Sequence, residues 1–455
     1  MKKRTRNILI ILGAILVCIV GVVGYGVYSI YSLFAGREMP EEIKAARVLK
    51  GEGYFTKTEI FKLKKGTFLE TVKESQKIKD EKEREKMIDS EVAKGIYNFS
   101  DLKVLNGEVI AVGEFGGFIL DGGGNIKQRV LFEPAKFNIS IGPFNKTSYD
   151  SDLDNLTVVH LTPDKIGFLS EGITQGVRIF DRDGNEIWAN GSLRIAADLF
   201  KSDDGDRDSE KYVLEAAVGD LDNDGVAEYI VATNNDGVRA YDNAGKLRWF
   251  YPEEFPSRKL AIMDADGDGD NDVVQIGEKV LDGRTGKVLY ESKGRSGDCS
   301  LFTVDEEGKA QIHYVDISNG RLSYSDDEGK VIFETEAPLS LIKTNPPRND
   351  IPGDETVIDP YEVDENAPCS EAVLVKLTDD GPAFLAVVAS YIGLPRSNLY
   401  IFDPAGALVY DELLPEEAET IEVMPTENGH VDLLVGGKDT IWRYAKNPAG
   451  GSRPN

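Results

Sequence analysis

Apolar residues along the chain fall into two regimes. Ile8 to Phe34 is an unbroken stretch of 27 residues without a charge, set between Lys2, Lys3, Arg4 and Arg6 on one side and Arg37, Glu38, Glu41 and Glu42 on the other. At about 1.5 Å per residue such a run forms a helix longer than the ~30 Å hydrocarbon core of a bilayer, and Tyr25, Tyr28 and Tyr31 suit its interfacial end. It is too long for the apolar region of a cleaved signal peptide, and Val17 before Cys18 is not the small residue of a lipoprotein signal. We expect residues 1–7 to be a basic cytoplasmic N-terminus and residues 8–34 a transmembrane helix. Residues 35–96 are then a stalk or linker. Between Thr67 and Gly95 helix formers alternate in charge sign without a proline, so a solvated helix is expected over 67–95. Its apolar positions, such as Leu69, Val72 and Ile78, are too sparse for a heptad seam.

Over residues 97–446 the pattern becomes a repeat of short apolar runs. Pairs of runs flank an acidic, Gly-containing turn in Leu214–Thr233, Leu260–Gly277, Leu301–Asp316, Val373–Ala389 and Ile421–Gly437, with shorter versions in Leu102–Gly113 and Val158–Ser170. Such β-branched, nearly continuous runs are typical of strands buried on both faces. Each pair is followed by an outer hairpin with an Asp-x-x-Gly turn and an aromatic four positions later: Asp181, Gly184, Trp188; Asp242, Gly245, Trp249; Asp326, Gly329, Phe333; Asp403, Gly406, Tyr410. Asp121–Gly124 lacks the aromatic, and Asp282–Gly286, ending in Tyr290, carries one extra residue. The glycine supplies a positive-φ turn position and the aromatic a wedge between sheets. Seven units of about four strands predict an all-β, seven-bladed β-propeller. The seventh unit ends one strand short at Thr440–Ala445, so an N-terminal segment must complete it, Tyr54–Lys64 being the first candidate and Tyr97–Leu102 the second. Insertions near 134–155, 190–211 and 335–370 are expected as surface loops, and 447–455 as a flexible tail.

Two of the turns differ chemically from the rest. Asp220, Asp222, Asp224 and Glu228 stand at positions 1, 3, 5 and 9 of one loop, and Asp264, Asp266, Asp268 and Asp272 at the same positions of another, each with glycine at position 6. With the backbone carbonyl of Val226 or Asp270 at position 7, each set wraps a hard cation in oxygen, and calcium suits such irregular, carboxylate-rich coordination. Neither loop is an EF-hand, because position 12 is Val231 or Gln275 instead of glutamate and both flanks have strand patterning. Asp203, Asp204, Asp206 and Asp208 lack this register, and the turns at Asp305, Asp379 and Glu427 lack the carboxylates, so neither group is expected to bind metal.

These two loops with their flanking strands resemble FG-GAP or VCBS repeats, the calcium-binding blades of integrin-α-like propellers and of many bacterial surface proteins. The resemblance is densest over residues 214–277 and implies a propeller with calcium on loops joining blade strands, at the two residue sets above. The outer hairpins, such as Val280–Tyr290, also resemble the repeats of quinoprotein-type propellers, including the periplasmic scaffold of outer-membrane protein assembly.

Composition narrows the function further. A 41% hydrophobic share supports a folded core, while 79 acidic against 52 basic residues give a formal charge of −27, which repels a phosphate backbone and argues against nucleic-acid binding. Cys18, Cys299 and Cys369 are the only cysteines, which leaves at most one disulfide outside the apolar run. The chain has no H-E-x-x-H, G-x-S-x-G or P-loop motif, and His160, His313 and His430 have no shared zinc spacing. The resulting expectation is a single-pass membrane protein whose extracytoplasmic propeller binds two calcium ions. Its broad face would serve as a protein- or glycan-binding, adhesion or scaffolding module instead of an enzyme. Two alternatives are a quinoprotein-like assembly scaffold without functional calcium and a carbohydrate-active enzyme with a carboxylate pair brought together across blades.

Overall fold

A computed structural model describes residues 45–63 and 96–447, apart from loop segments of which the longest are 191–212 and 340–368. The apolar run at 8–34, the charged segment at 67–95 and the last eight residues lie outside the described residues, as do the acidic turns at 203–208, 305–309, 378–380 and 427–429. No helix among the described residues is long and apolar enough to cross a membrane.

Within residues 46–455, one compact unit, seven antiparallel sheets form the blades of a β-propeller. Blade 3 shows the plan, with Val213–Gly219, Glu228–Thr233, Gly237–Tyr241 and Leu247–Pro252 paired in chain order from the axis outward. Blades 1, 2, 4 and 5 repeat it over 97–131, 156–190, 260–291 and 299–334. The innermost strands lie beside one another between most neighbouring blades, including blades 7 and 1, where the ring closes. Second strands are buried on both faces, as in Glu228–Thr233 and Asp272–Gln275, which explains their continuous apolar runs.

Blade 7 takes three strands from 418–446 and its outermost strand, Phe55–Lys62, from the other end of the sequence. Phe55 packs edge-on against Tyr410 and Tyr444, at centroid distances of 5.1 and 6.1 Å. Lys57 lies 4.4 Å above the Trp442 ring and donates to Glu412 at 2.8 Å, so the closing strand is also pinned to blade 6. Tyr97–Leu105, which contains the second candidate for closure, is instead the innermost strand of blade 1. Two elements were not foreseen. Arg47–Lys50 adds a fifth strand to the outer edge of blade 6, and Lys136–Ile141 pairs with Phe144–Tyr149 as a hairpin within the insertion expected to be a loop. The alternation of the latter segments, KFNISI and FNKTSY, is strand patterning too short to be distinguished from loop by periodicity. A Cys299–Cys369 disulfide joins the innermost strands of blades 5 and 6 across the longest insertion.

The wedges between blades come from the Asp-x-x-Gly hairpins. In blade 3, Asp242 Oδ1 accepts from the backbone N–H groups of Ala244 and Lys246, which closes the turn. Gly245, at φ +79°, leaves its open side to Trp188 of blade 2, since a Cβ there would sit 2.5 Å from the indole nitrogen. Trp188 also packs on Tyr229 and Tyr241 of blade 3, at 4.8 and 5.5 Å. One blade on, Trp249 lies over Gly286 and its Nε1–H donates to the Gly283 carbonyl at 2.8 Å. The repeated aromatic is therefore a contact between units, as Phe333 over Gly406 shows again between blades 5 and 6.

Replacing Trp249 with Ala leaves a cavity at the seam between blades 3 and 4 and orphans the Gly283 carbonyl. We expect a loss of about 3–5 kcal/mol, read as a lower midpoint in urea unfolding. A loss below about 1 kcal/mol would show that the seam does not depend on the ring.

Candidate functional site

The loops at 220–228 and 264–272 join the first and second strands of blades 3 and 4, so they stand side by side at one end of the propeller. The sharp reversal each needs is supplied by positive-φ residues, Asn223 and Gly225 in the first and Gly267 and Gly269 in the second. One oxygen from each of Asp220, Asp222 and Glu228 lies within 4.8 Å of the others, and the same holds for Asp264, Asp266 and Asp272. Positions 1, 3 and 9 thus converge as the spacing requires. Asp224 and Asp268 at position 5 are exposed, and each accepts from an N–H of its own turn, that of Val226 and of Asp270, both at 2.8 Å.

Position 9 is the buried floor of each loop: Glu228 and Asp272 are both 3% exposed. Glu228 Oε2 accepts from the Leu221 N–H at 2.8 Å, and Asp272 Oδ2 from the Ala265 N–H at 3.1 Å. Burial pushes the Asp272 carboxyl up to about 6, with the charges of Asp266 and Asp268 adding to the effect. Burial also raises Glu228, opposed by the Leu221 N–H and by Arg248. Two charged carboxylates at such separations repel by about 3–4 kcal/mol at an effective dielectric near 20, so either cluster favours a cation.

The loops differ in how that cation is supplied. In blade 3 the Arg248 guanidinium reaches Asp222 at 2.6 Å and Glu228 at 2.8 Å. In blade 4 Arg284 pairs with Asp270, at the rim, and among the described residues no Lys or Arg forms an ion pair with Asp264, Asp266 or Asp272. The residues of the blade 4 loop therefore fit a divalent ion without displacing any protein charge. The two loops are also tied together: Asn223 donates to the Gly269 carbonyl, Asn271 to the Asp220 carbonyl at 2.6 Å, and Arg284 to the Asp222 carbonyl at 3.4 Å.

Beside these loops the propeller axis holds a cavity of about 630 Å³, bounded by Lys103, His160, Glu215, Asp220, Ile262 and Phe302 among others. Two groups of partly buried charges flank it. Lys103 lies 3.4–3.6 Å from Asp101, Glu371 and Glu422, an ion cluster that joins blades 1, 6 and 7, and Asp101 extends it to blade 2 by accepting from the Val158 N–H at 2.8 Å. The charge of Asp101 holds the Lys103 ammonium well above the usual lysine range. In the second group Glu171 of blade 2 accepts from the Ala216 N–H of blade 3, while its Oε2 is buried without a hydrogen-bond partner. Burial raises both Glu171 and Glu215, and the Glu171 charge raises Glu215 further against the pull of Lys259.

No family model matches the chain, and no curated protein matches it. Among solved structures it is similar to streptogramin B lyase, at 12% identity over 87% of this chain and 100% of that one, with a TM-score of 0.47. It is similar to BBS1N in complex with ARL6DN at 10% identity, covering 78% and 94% with a TM-score of 0.44, and to the Neurospora crassa Pan2 WD40 domain at 10%, covering 77% and 90% with a TM-score of 0.40. The likeness is one of fold.

Arg248 and the axial charges escaped the sequence reading because they pair across strands and blades far apart in the chain. The one local signal was a charged residue inside an apolar run, as in Leu102–Val104 and Leu247–Trp249. The Glu171–Glu215 pair generates a pH dependence. A carboxyl whose folded pKa is raised favours the folded state while protonated, and that stability is lost as pH rises above the unfolded glutamate value of about 4.3. Glu215→Gln removes the titration, so we expect the variant to melt above the wild type at pH 8 and to match it more closely at pH 5. A variant that melts lower at pH 8 would contradict a destabilising carboxylate.

Proposed function

We propose that this chain is a membrane-anchored, extracytoplasmic propeller of the FG-GAP or VCBS kind. An acidic loop at one end of it binds calcium, and the face that this loop occupies is a binding or scaffolding surface for protein or glycan. The observation that carries this reading is the convergence of Asp264, Asp266 and Asp272 in blade 4, where no basic side chain among the described residues forms an ion pair with them. Calcium there would be held by these carboxylates with Asp268 and the Asp270 carbonyl, and would supply the positive charge that the buried Asp272 lacks. The chain's own residues carry the effect onward. Asn223, Asn271 and Arg284 bind the two loops to each other, so ordering one orders the adjoining part of the face.

The extracytoplasmic placement is supported by the buried Cys299–Cys369 disulfide, which belongs to an oxidising compartment, and by the basic flank before the apolar run at 8–34. A module of this kind works by shape and by the loops that each blade adds to one face, without a catalytic constellation.

Calcium binding makes stability depend on the ion. At a free concentration of 100 times Kd, one site adds about 2.7 kcal/mol. We expect the purified full-length protein to melt several degrees higher in calcium than in EGTA, and Asp272→Asn to abolish most of that difference. Identical melting curves with and without calcium would remove the ion from the account.

A further inference from the structure

On the calcium reading proposed above, we infer that Arg248 is a built-in cation that replaces calcium in the blade 3 loop and leaves the blade 4 loop as the calcium site of the pair. The guanidinium spans two of the three converging carboxylates, with Nη2 at 2.6 Å from Asp222 Oδ2 and Nη1 at 2.8 Å from Glu228 Oε1. Both carboxylates belong to the converging set that a calcium ion would need. A divalent ion with oxygens at about 2.3–2.6 Å cannot share them with a guanidinium already in hydrogen-bond contact, because the two positive charges would lie a few ångströms apart. The pairing is largely shielded, with the Arg248 and Asp222 side chains 22% and 23% exposed and Glu228 4%. Solvent and salt therefore screen it less than they would an exposed ion pair.

The blade 4 loop is the internal control. Each outer strand carries a break in register next to its locking aromatic: Trp249 pairs with Ala240 and Leu247 with Tyr241, skipping Arg248, while Tyr290 pairs with Val280 and Val288 with Leu281, skipping Leu289. Leu289 thus occupies in blade 4 the place of Arg248 in blade 3. Position 9 changes in step. Both acids accept a loop N–H, that of Leu221 or Ala265, but where the arginine is present the acid is Glu228, whose longer arm contacts the guanidinium, and where leucine stands it is the shorter Asp272, whose other oxygen accepts from the Gly283 N–H. Arginine with glutamate and leucine with aspartate are two ways of placing positive charge on one scaffold, the first internal and the second recruited.

A loop whose acids are paired from within is formed before any ion arrives. It presents the Asp220 and Asp222 carbonyls to Asn271 and Arg284 of the neighbouring blade. In this arrangement the blade 3 loop is the fixed template and the blade 4 loop the calcium-responsive member.

The test is calcium stoichiometry by isothermal titration on the purified full-length protein, with far-UV circular dichroism as the check on folding. We expect one equivalent on the wild type, loss of that equivalent in Asp272→Asn, two equivalents in Arg248→Leu and one in Arg248→Lys. Should Arg248→Leu fail to fold, the wild type and Asp272→Asn still decide. Two equivalents on the wild type, or an equivalent that survives Asp272→Asn, would overturn the arginine assignment while leaving calcium binding intact. No heat of calcium binding on the wild type would overturn the calcium reading itself, and this inference with it.

Discussion

A sheet buried on both faces needs a neighbour on each side, and a row of such sheets has two ends. That constraint shapes this molecule. Phe55–Lys62 pairs with Thr440–Lys446, so the last blade is completed by a strand from near the start of the chain. Closure lets every blade bury both faces and abolishes the exposed ends of the row. One device, a ring over the turn glycine of the next blade, recurs at the seams between blades 2 and 3, 3 and 4, and 5 and 6, while Val130 and Ile60 fill that place at Gly184 and Gly124. Lys57, held by Glu412 of blade 6 and by the Trp442 ring, places a charge-assisted contact at the closing strand.

Closing the ring also concentrates what the innermost strands carry. Lys103 meets Asp101, Glu371 and Glu422 at the axis, and each is far from most of the others in sequence. One ammonium among three carboxylates is a costly arrangement unless the remaining oxygens find donors, as Asp101 does in the Leu102 and Val158 N–H groups and Glu371 in that of Ile421. Glu171 and Glu215 show the opposite outcome, a partly buried pair with one buried oxygen left without a donor. The axis is thus unevenly satisfied. It is tightly paired beside blades 6, 7 and 1, and least satisfied between blades 2 and 3, beside the axial cavity and the acidic loops.

The same shortage of positive charge governs the two acidic loops. In a chain with a net charge of −27, clusters of converging carboxylates are hard to neutralise from the protein's own supply. Blade 3 uses Arg248, whereas blade 4 has leucine at that position and keeps an uncompensated cluster over a buried Asp272. Neighbouring loops of nearly identical spacing therefore have different electrostatics, through one residue on a strand that belongs to neither loop.

The sequence by itself determined the repeat and its phase. The doubly buried second strands read as continuous apolar runs, the Asp-x-x-Gly turns marked the outer hairpins, and the 1-3-5-9 carboxylate spacing brought positions 1, 3 and 9 of each loop together. These features are legible because each is local: a turn or strand constrains residues within about ten positions of one another. The fifth strand on blade 6, the hairpin at 136–149, the axial ion cluster and the partner of Asp222 were decided by tertiary structure. Each depends on which strand edges and side chains the closed ring brings together, and spacing along a chain carries no record of contacts made between its distant parts.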